Sequence, residues 1–213
     1  MNDSTGLPIL WYFADPMCSW CWGFSPAITK AKKHYSDKIR FSLNLGGLRP
    51  GTTEPVTDTM REEILHHWRD VHRLSGQPFK FEGAMPEGFV YDTEPASRAV
   101  LAFGKLQSEN TLDYFSAVQS AFYAEGRDVT QLEVLSGLAT GFEVDETVFR
   151  SLFESDELRA MTQQHFRRSR QAGVRGFPTV IWQNGETVEL LNNGFVPYEM
   201  LAESIDEKLK TVT

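Results

Sequence analysis

The only two cysteines of this 213-residue chain stand three positions apart, in Cys18-Ser19-Trp20-Cys21. The apolar run Ile9-Leu10-Trp11-Tyr12-Phe13-Ala14 precedes them, and a helical pattern from about Pro26 to Tyr35 follows. The pair therefore falls where a strand hands over to a helix. The positive end of a helix dipole favours thiolate over thiol, and the thiolate is the nucleophile. A second thiol one turn further on can close a disulfide with the first, so the pair can accept or deliver two electrons. A Cys-x-x-Cys near a βαβ pattern in an intracellular chain reads as a redox motif. A structural zinc site needs about four Cys or His ligands. There is no second cysteine pair, and His34, His66, His67, His72 and His165 lack finger-like spacing, so no metal is expected. A purely structural disulfide would close a very small loop, and cross-link stabilisation grows with loop length.

The rest of the chain divides into three stretches. The first is a βαβ unit. Its opening strand is apolar throughout, as for a strand covered on both faces. Asp15-Pro16 breaks that strand, Ile28, Ala31 and Tyr35 mark one helical face, and Pro26 falls inside the helical pattern. Ile39 to Leu45 alternates apolar and polar, which predicts a strand with one buried face. From about 52 to 160 the apolar spacing is helical: Met60, Ile64, Trp68, Val71; then Ala96, Ala99, Val100, Phe103; then Leu112, Phe115, Val118, Phe122. Thr130 to Glu133 reads as a capping box, Asp145 as an N-cap, and Gly76 to Asp92 as a loop. The third stretch begins with a helix through Leu158, Met161 and His165 that stops at Gly173, a natural left-handed C-cap. Strands over Thr179–Trp182 and Val188–Leu191 flank Asn184-Gly185, a hairpin signal, and Pro197 opens a last helix. The order βαβ, helices, αββα predicts one α/β domain with an all-helical block inserted in it.

A net charge of −8, from 21 basic and 29 acidic side chains, argues against nucleic acid as the partner. No stretch approaches 18 apolar residues, so no membrane span is expected. Met1 to Gly6 carries no positive charge and lacks the features of a leader, which reads as a cytoplasmic chain whose thiols are mostly kept reduced.

Gly173-Val174-Arg175-Gly176-Phe177-Pro178-Thr179, followed by Asn184-Gly185-Glu186, resembles the loop and hairpin that thioredoxins place opposite their Cys-x-x-Cys. The helical block resembles the insertion of the DsbA family. Asp15-Pro16-Met17-Cys18-Ser19-Trp20-Cys21-Trp22-Gly23 resembles the cytoplasmic FrnE-like branch of predicted disulfide isomerases. The resemblance implies a thioredoxin-like fold with a large helical insertion: a discontinuous thioredoxin-like domain at 7–51 and 160–213, and an insertion at 52–159. It implies a thiol–disulfide oxidoreductase or protein disulfide isomerase that works through a mixed disulfide. Cys18 would attack and Cys21 would resolve. Pro178 would be a cis-proline facing the disulfide, with Gly176 and the backbone of Phe177 presented to an extended substrate by strand addition; by itself, Pro178 also fits an ordinary turn before a strand. Trp20 would offer an apolar surface to the substrate or shield Cys21, and Ser19 would donate a hydrogen bond to the thiolate. Asp15 fits either a proton acceptor or a turn former. The substrates would be proteins or small thiols and disulfides. No cofactor is implied, with glutathione as a redox partner. An alternative is a glutathione-dependent transferase or isomerase of the kappa-class or hydroxychromene carboxylate isomerase type, which would not need Cys21. With no cationic side chain inside the motif, the expected potential lies between about −270 mV and about −120 mV, the values of thioredoxin and DsbA.

Overall fold

The computed structural model describes residues 6–211; residues 1–5, which include most of the segment read above as unlike a leader, and residues 212–213 lie outside them. β1 (Ile9–Ala14) is an inner strand of a four-stranded sheet ordered β2-β1-β3-β4. It runs parallel to β2 (Arg40–Leu45) and antiparallel to β3 (Thr179–Asn184), which pairs with β4 (Thr187–Asn193). Side chains alternate across a strand. Leu10 and Tyr12 therefore face α1 (Ser19–His34), where the Tyr12 ring lies 5.9 Å from that of Phe24. Trp11 and Phe13 take the other face. There Arg168 of α7 (Asp156–Gln171) lies over the Trp11 ring, and the Trp11 indole nitrogen donates to Gln183. α8 (Tyr198–Lys210) packs beside α1, held by the Tyr35 hydroxyl donating to Ala202 and Asp206.

Between β2 and α7 lie α2 (Asp58–Ser75), α3 (Glu94–Leu106), a single 3-10 turn, α4 (Thr111–Tyr123), α5 (Leu132–Thr140) and α6 (Glu146–Glu154). The described part of this stretch is helix and loop apart from one isolated bridge between Pro55 and Val90. Two caps form as the sequence predicts. The Asp145 carboxylate accepts from the Val148 amide at 2.9 Å. At the end of α7, the Val174 and Gly173 amides donate to Ser169 and Arg170, with Gly173 at φ 71°, a Schellman motif.

Three local readings are corrected. The helix after the cysteines begins at Ser19, so Pro26 lies inside it. Pro26 has no amide to give to the Trp22 carbonyl, and the Gln77 side chain fills that vacant acceptor at 3.1 Å. The Thr130 capping box does not form: the Thr130 amide and hydroxyl both bind Asp128, and the helix starts at Leu132. In the hairpin Asn184 still pairs with Thr187, so Gly185 and Glu186 form the turn, with Gly185 (φ 58°) at the position a type II′ turn reserves for glycine.

α1 and α2 meet closely at Gly23, where an added Cβ would stand 2.7 Å from Cγ1 of Val71. In an open helix, Gly→Ala gains about 1 kcal/mol of propensity. Here the overlap wins, because Val71 is fully buried and cannot retreat. Gly23→Ala should lower the unfolding free energy by about 1–3 kcal/mol in urea, and adding Val71→Ala should reverse the steric part.

Candidate active site

Cys18 is the N-cap of α1, with extended backbone (φ −96°, ψ 117°) and its amide donating to the Asp15 carbonyl at 3.1 Å. The first turn of α1 contains no acidic residue, so the positive helix end is left open beside the Cys18 side chain. Both cysteines are free thiols. Cys18 keeps 5% exposure, while Cys21, one turn deeper, keeps none. Burial, then hydrogen-bond contact with Cys18 and charge on Cys18, push the Cys21 thiol well above its ordinary range. Tyr12, also fully enclosed, is pushed up by burial and by both cysteines.

The opposite wall comes from the loop before β3. The Phe177-Pro178 peptide is cis, and the Cys18 sulfur lies 3.5 Å from the Phe177 carbonyl oxygen, to which it donates. Two contacts hold that loop. The Pro178 carbonyl accepts from the Gly194 amide at 2.8 Å. The Phe177 ring rests on Gly46, where an added Cβ would stand 2.1 Å from its Cζ. Gly46-Gly47 thus does more than end β2, since only glycine admits the ring. Gly176 shapes the turn by accepting from the Thr179 hydroxyl at 2.8 Å. Gly176 and Pro178 form the loop, and Phe177 is the residue that faces Cys18.

Asp15 lies beneath these parts, with no exposed surface. One carboxylate oxygen accepts from the Met17 amide at 2.9 Å and the other from the Leu48 amide at 2.7 Å. The first bond is the turn anticipated for Asp15-Pro16; the second ties the cysteine loop to the loop after β2. Burial raises the Asp15 carboxyl to about 6 against the opposing pull of the two amides. The helical segment also reaches in. The Tyr91 hydroxyl donates to the Met17 carbonyl at 2.6 Å and lies 3.5 Å from that of Tyr123, whose ring stacks on Trp22 at 6.3 Å.

Cys18 opens into a groove of about 250 Å³ shared by Ser19, Trp20, Arg49, His67 and Phe177. Trp20 leans on Phe195, with ring centroids 6.4 Å apart. Ser19 lies at the groove wall, and no hydrogen bond from its hydroxyl is present among the described residues. Arg49, His67 and Tyr91 were not singled out as site residues from the sequence. Arg49 and Tyr91 sit in stretches without periodicity, and His67 shares a helix with solvent-facing neighbours. No group of three His, Cys, Asp or Glu side chains among the described residues could hold a metal. Among the described residues no helix is long and apolar enough to cross a membrane.

Two outcomes follow from this geometry. Alkylation of the reduced protein at neutral pH should label Cys18 well before Cys21, read by peptide mass; equal or reversed rates would contradict the assignment of depth and ionisation. Asp15 should give a pH signature. Folded, its carboxyl keeps a proton up to about pH 6, while an unfolded aspartic acid releases it near about pH 4. Between those values the folded state binds more protons, so this contribution to stability falls as pH rises, by on the order of 3 kcal/mol. The wild-type unfolding free energy, taken relative to Asp15→Asn, should drop by that order from pH 4 to pH 7.

Comparison with known proteins places this geometry in a lineage. A solved candidate protein disulfide isomerase from Nitrosomonas europaea superposes with a TM-score of 0.91 and 42% identity, covering 96% of this chain and 98% of that one. The cytosolic disulfide reductase DsbM from Pseudomonas aeruginosa superposes at 0.80 with 27% identity, over 95% and 99% of the two chains, and has also been solved with GSH. Among curated sequences, the ClpXP adapter protein SpxH of Halalkalibacterium halodurans is 21% identical over 208 residues, 94% of this chain and 67% of that protein. The profile of the DSBA-like thioredoxin domain matches residues 9–206, and the chain belongs to that family.

Proposed function

We propose that the chain is a thiol–disulfide oxidoreductase of the reductase or isomerase kind. Cys18 and Cys21 are its redox pair, acting on proteins or small disulfides in a reducing cytoplasm, with glutathione as a redox partner. One juxtaposition carries this reading: a groove-facing thiol at a helix start, a buried thiol in contact with it, and a backbone carbonyl 3.5 Å from the first sulfur. The Cys18 thiolate attacks one sulfur of a substrate disulfide. The Cys18–sulfur bond forms, the substrate S–S bond breaks, and the first substrate thiolate leaves. Cys21 then attacks Cys18, its proton passes to the second leaving thiolate, and the pair ends oxidised while the substrate has gained two electrons. The reverse sequence oxidises a dithiol. Phe177 supplies backbone for an extended substrate, Trp20 supplies an apolar flank, and Asp15 positions the cysteine loop. We take 7–51 with 160–213 as the redox domain and 52–159 as the insertion, which contributes Tyr91 and part of the groove. The single-nucleophile transferase alternative is not favoured, because Cys21 lies against Cys18, where such a mechanism has no use for it.

The composition of the motif and the acids packed against it argue against a strong oxidant. Inside the motif there is no His or Arg to hold a thiolate, while Asp15, Tyr12, Tyr91 and Tyr123 surround it as acids whose own ionisation is disfavoured. Titration in glutathione buffers, followed by the emission of Trp20 and Trp22, should give a potential between about −270 mV and about −120 mV. A value at the oxidising end would instead make the protein a net oxidant.

A further inference from the structure

The groove is lined by a guanidinium that forms no ion pair among the described residues. Arg49 is half-buried at the wall that also presents Cys18. Its guanidinium lies 5.6 Å from the centroid of the Tyr91 ring and contacts the Met60 sulfur at 3.5 Å, and it forms no ion pair among the described residues. Of the nearby acids, Asp15 accepts backbone amides with both oxygens beneath the groove, and one oxygen of Asp92 accepts from the Gly51 and Glu94 amides. A partly desolvated guanidinium without a carboxylate has five donors suited to a planar anion and few partners for them. His67 lines the same groove and makes no hydrogen bond among the described residues. The Arg49 guanidinium is a positive charge in a chain whose net charge is −8, so it opposes the field of the molecule as a whole. The volume, about 250 Å³, falls below the roughly 300–1,000 Å³ of pockets that enclose drug-sized ligands, which suits a compact substrate.

We propose that Arg49, with His67 beside it, is the specificity-determining group of this site, and that it selects small disulfides and thiols carrying a carboxylate close to the sulfur. The inference rests on the redox reading of Cys18 and Cys21. The carboxylate meets the guanidinium while the adjacent sulfur meets Cys18. Thiolate exchange then proceeds as above, with no reactant beyond the substrate and the protein dithiol.

The test uses three disulfides with the same short aliphatic skeleton: dithiodipropionate with two carboxylates, hydroxyethyl disulfide with none, and cystamine with two ammonium groups. The second-order rate constant for oxidation of the reduced full-length protein is followed by tryptophan emission. Each is divided by the rate of the same disulfide with dithiothreitol, which removes intrinsic leaving-group differences. The expected order is anionic over neutral over cationic. In Arg49→Gln the anionic-to-neutral ratio should fall roughly fivefold to tenfold. Arg49→Lys should recover part of that ratio, and Arg49→Glu should invert the order. Taking ratios cancels any change common to all three substrates, including one in the folding or reactivity of the site. If cystamine reacts fastest with the wild type, or if the ratio is indifferent to Arg49, the proposal is wrong while the redox reading stands. If none of the three disulfides oxidises the protein, the redox reading itself fails.

Discussion

The contact on which the site depends is the Phe177 ring lying on Gly46. It brings the loop before β3 down onto the end of β2 and sets the Phe177 carbonyl 3.5 Å from the Cys18 sulfur. Any side chain at 46 would have to occupy the space of that ring. The Gly46 amide is spent on the Ala14 carbonyl at 2.7 Å, so the residue cannot swing away without breaking the β1–β2 edge. Asp15 completes the clamp from below by accepting the Leu48 amide, which fixes the stretch after Gly46-Gly47 to the turn that leads into Cys18. Three segments far apart in sequence, around 15–18, 46–48 and 177–178, are thereby held together.

Electrostatics gives the two thiols different work. Cys18 sits at the open positive end of a helix and borders the groove. Cys21 is enclosed, and its ionisation is opposed by burial and by charge on Cys18. Tyr12, Tyr91 and Tyr123, all raised by burial, crowd the same space. A second negative charge there is costly in low dielectric. The arrangement therefore suits a sequence in which one thiolate exists at a time, first on Cys18 and then briefly on Cys21 as it attacks. Around that pair the helical segment is a structural partner as well as a cover, since Tyr91 reaches the Met17 carbonyl and Gln77 fills the acceptor left by Pro26.

Much of this was legible in the chain. The strand before Asp15, the place of β2, the hairpin at Gly185 and the Gly173 stop all follow from period and turn chemistry, and the Cys-x-x-Cys spacing points to a redox pair. The single buried face read for β2 does not hold, because Asn44 is fully buried, its side chain donating to the His165 carbonyl, while Phe41 and Leu43 are half-buried. What escaped depends on distant partners or, at Thr130, on a local competitor. The helix start at Ser19 was hidden by Pro26, whose lost hydrogen bond is compensated by Gln77, more than fifty positions away in the chain. The Thr130 cap lost to Asp128, a closer competitor for the same groups. His67 and Tyr91 belong to the site only because the helical segment folds back over the cysteines, and Arg49 only because the loop after β2 meets that segment at Tyr91 and Thr93; no local pattern records either meeting.

The most direct measurement is intact-mass analysis of Cys21→Ser and Cys18→Ser after brief exposure to hydroxyethyl disulfide at neutral pH. With Cys18 as the attacking thiol and Cys21 as the resolving one, Cys21→Ser accumulates a stable mixed disulfide on Cys18, Cys18→Ser stays unmodified over the same interval, and the wild type passes to its internal disulfide. A faster adduct on Cys21 in the Cys18→Ser protein, or no adduct in either variant, would contradict that division of labour.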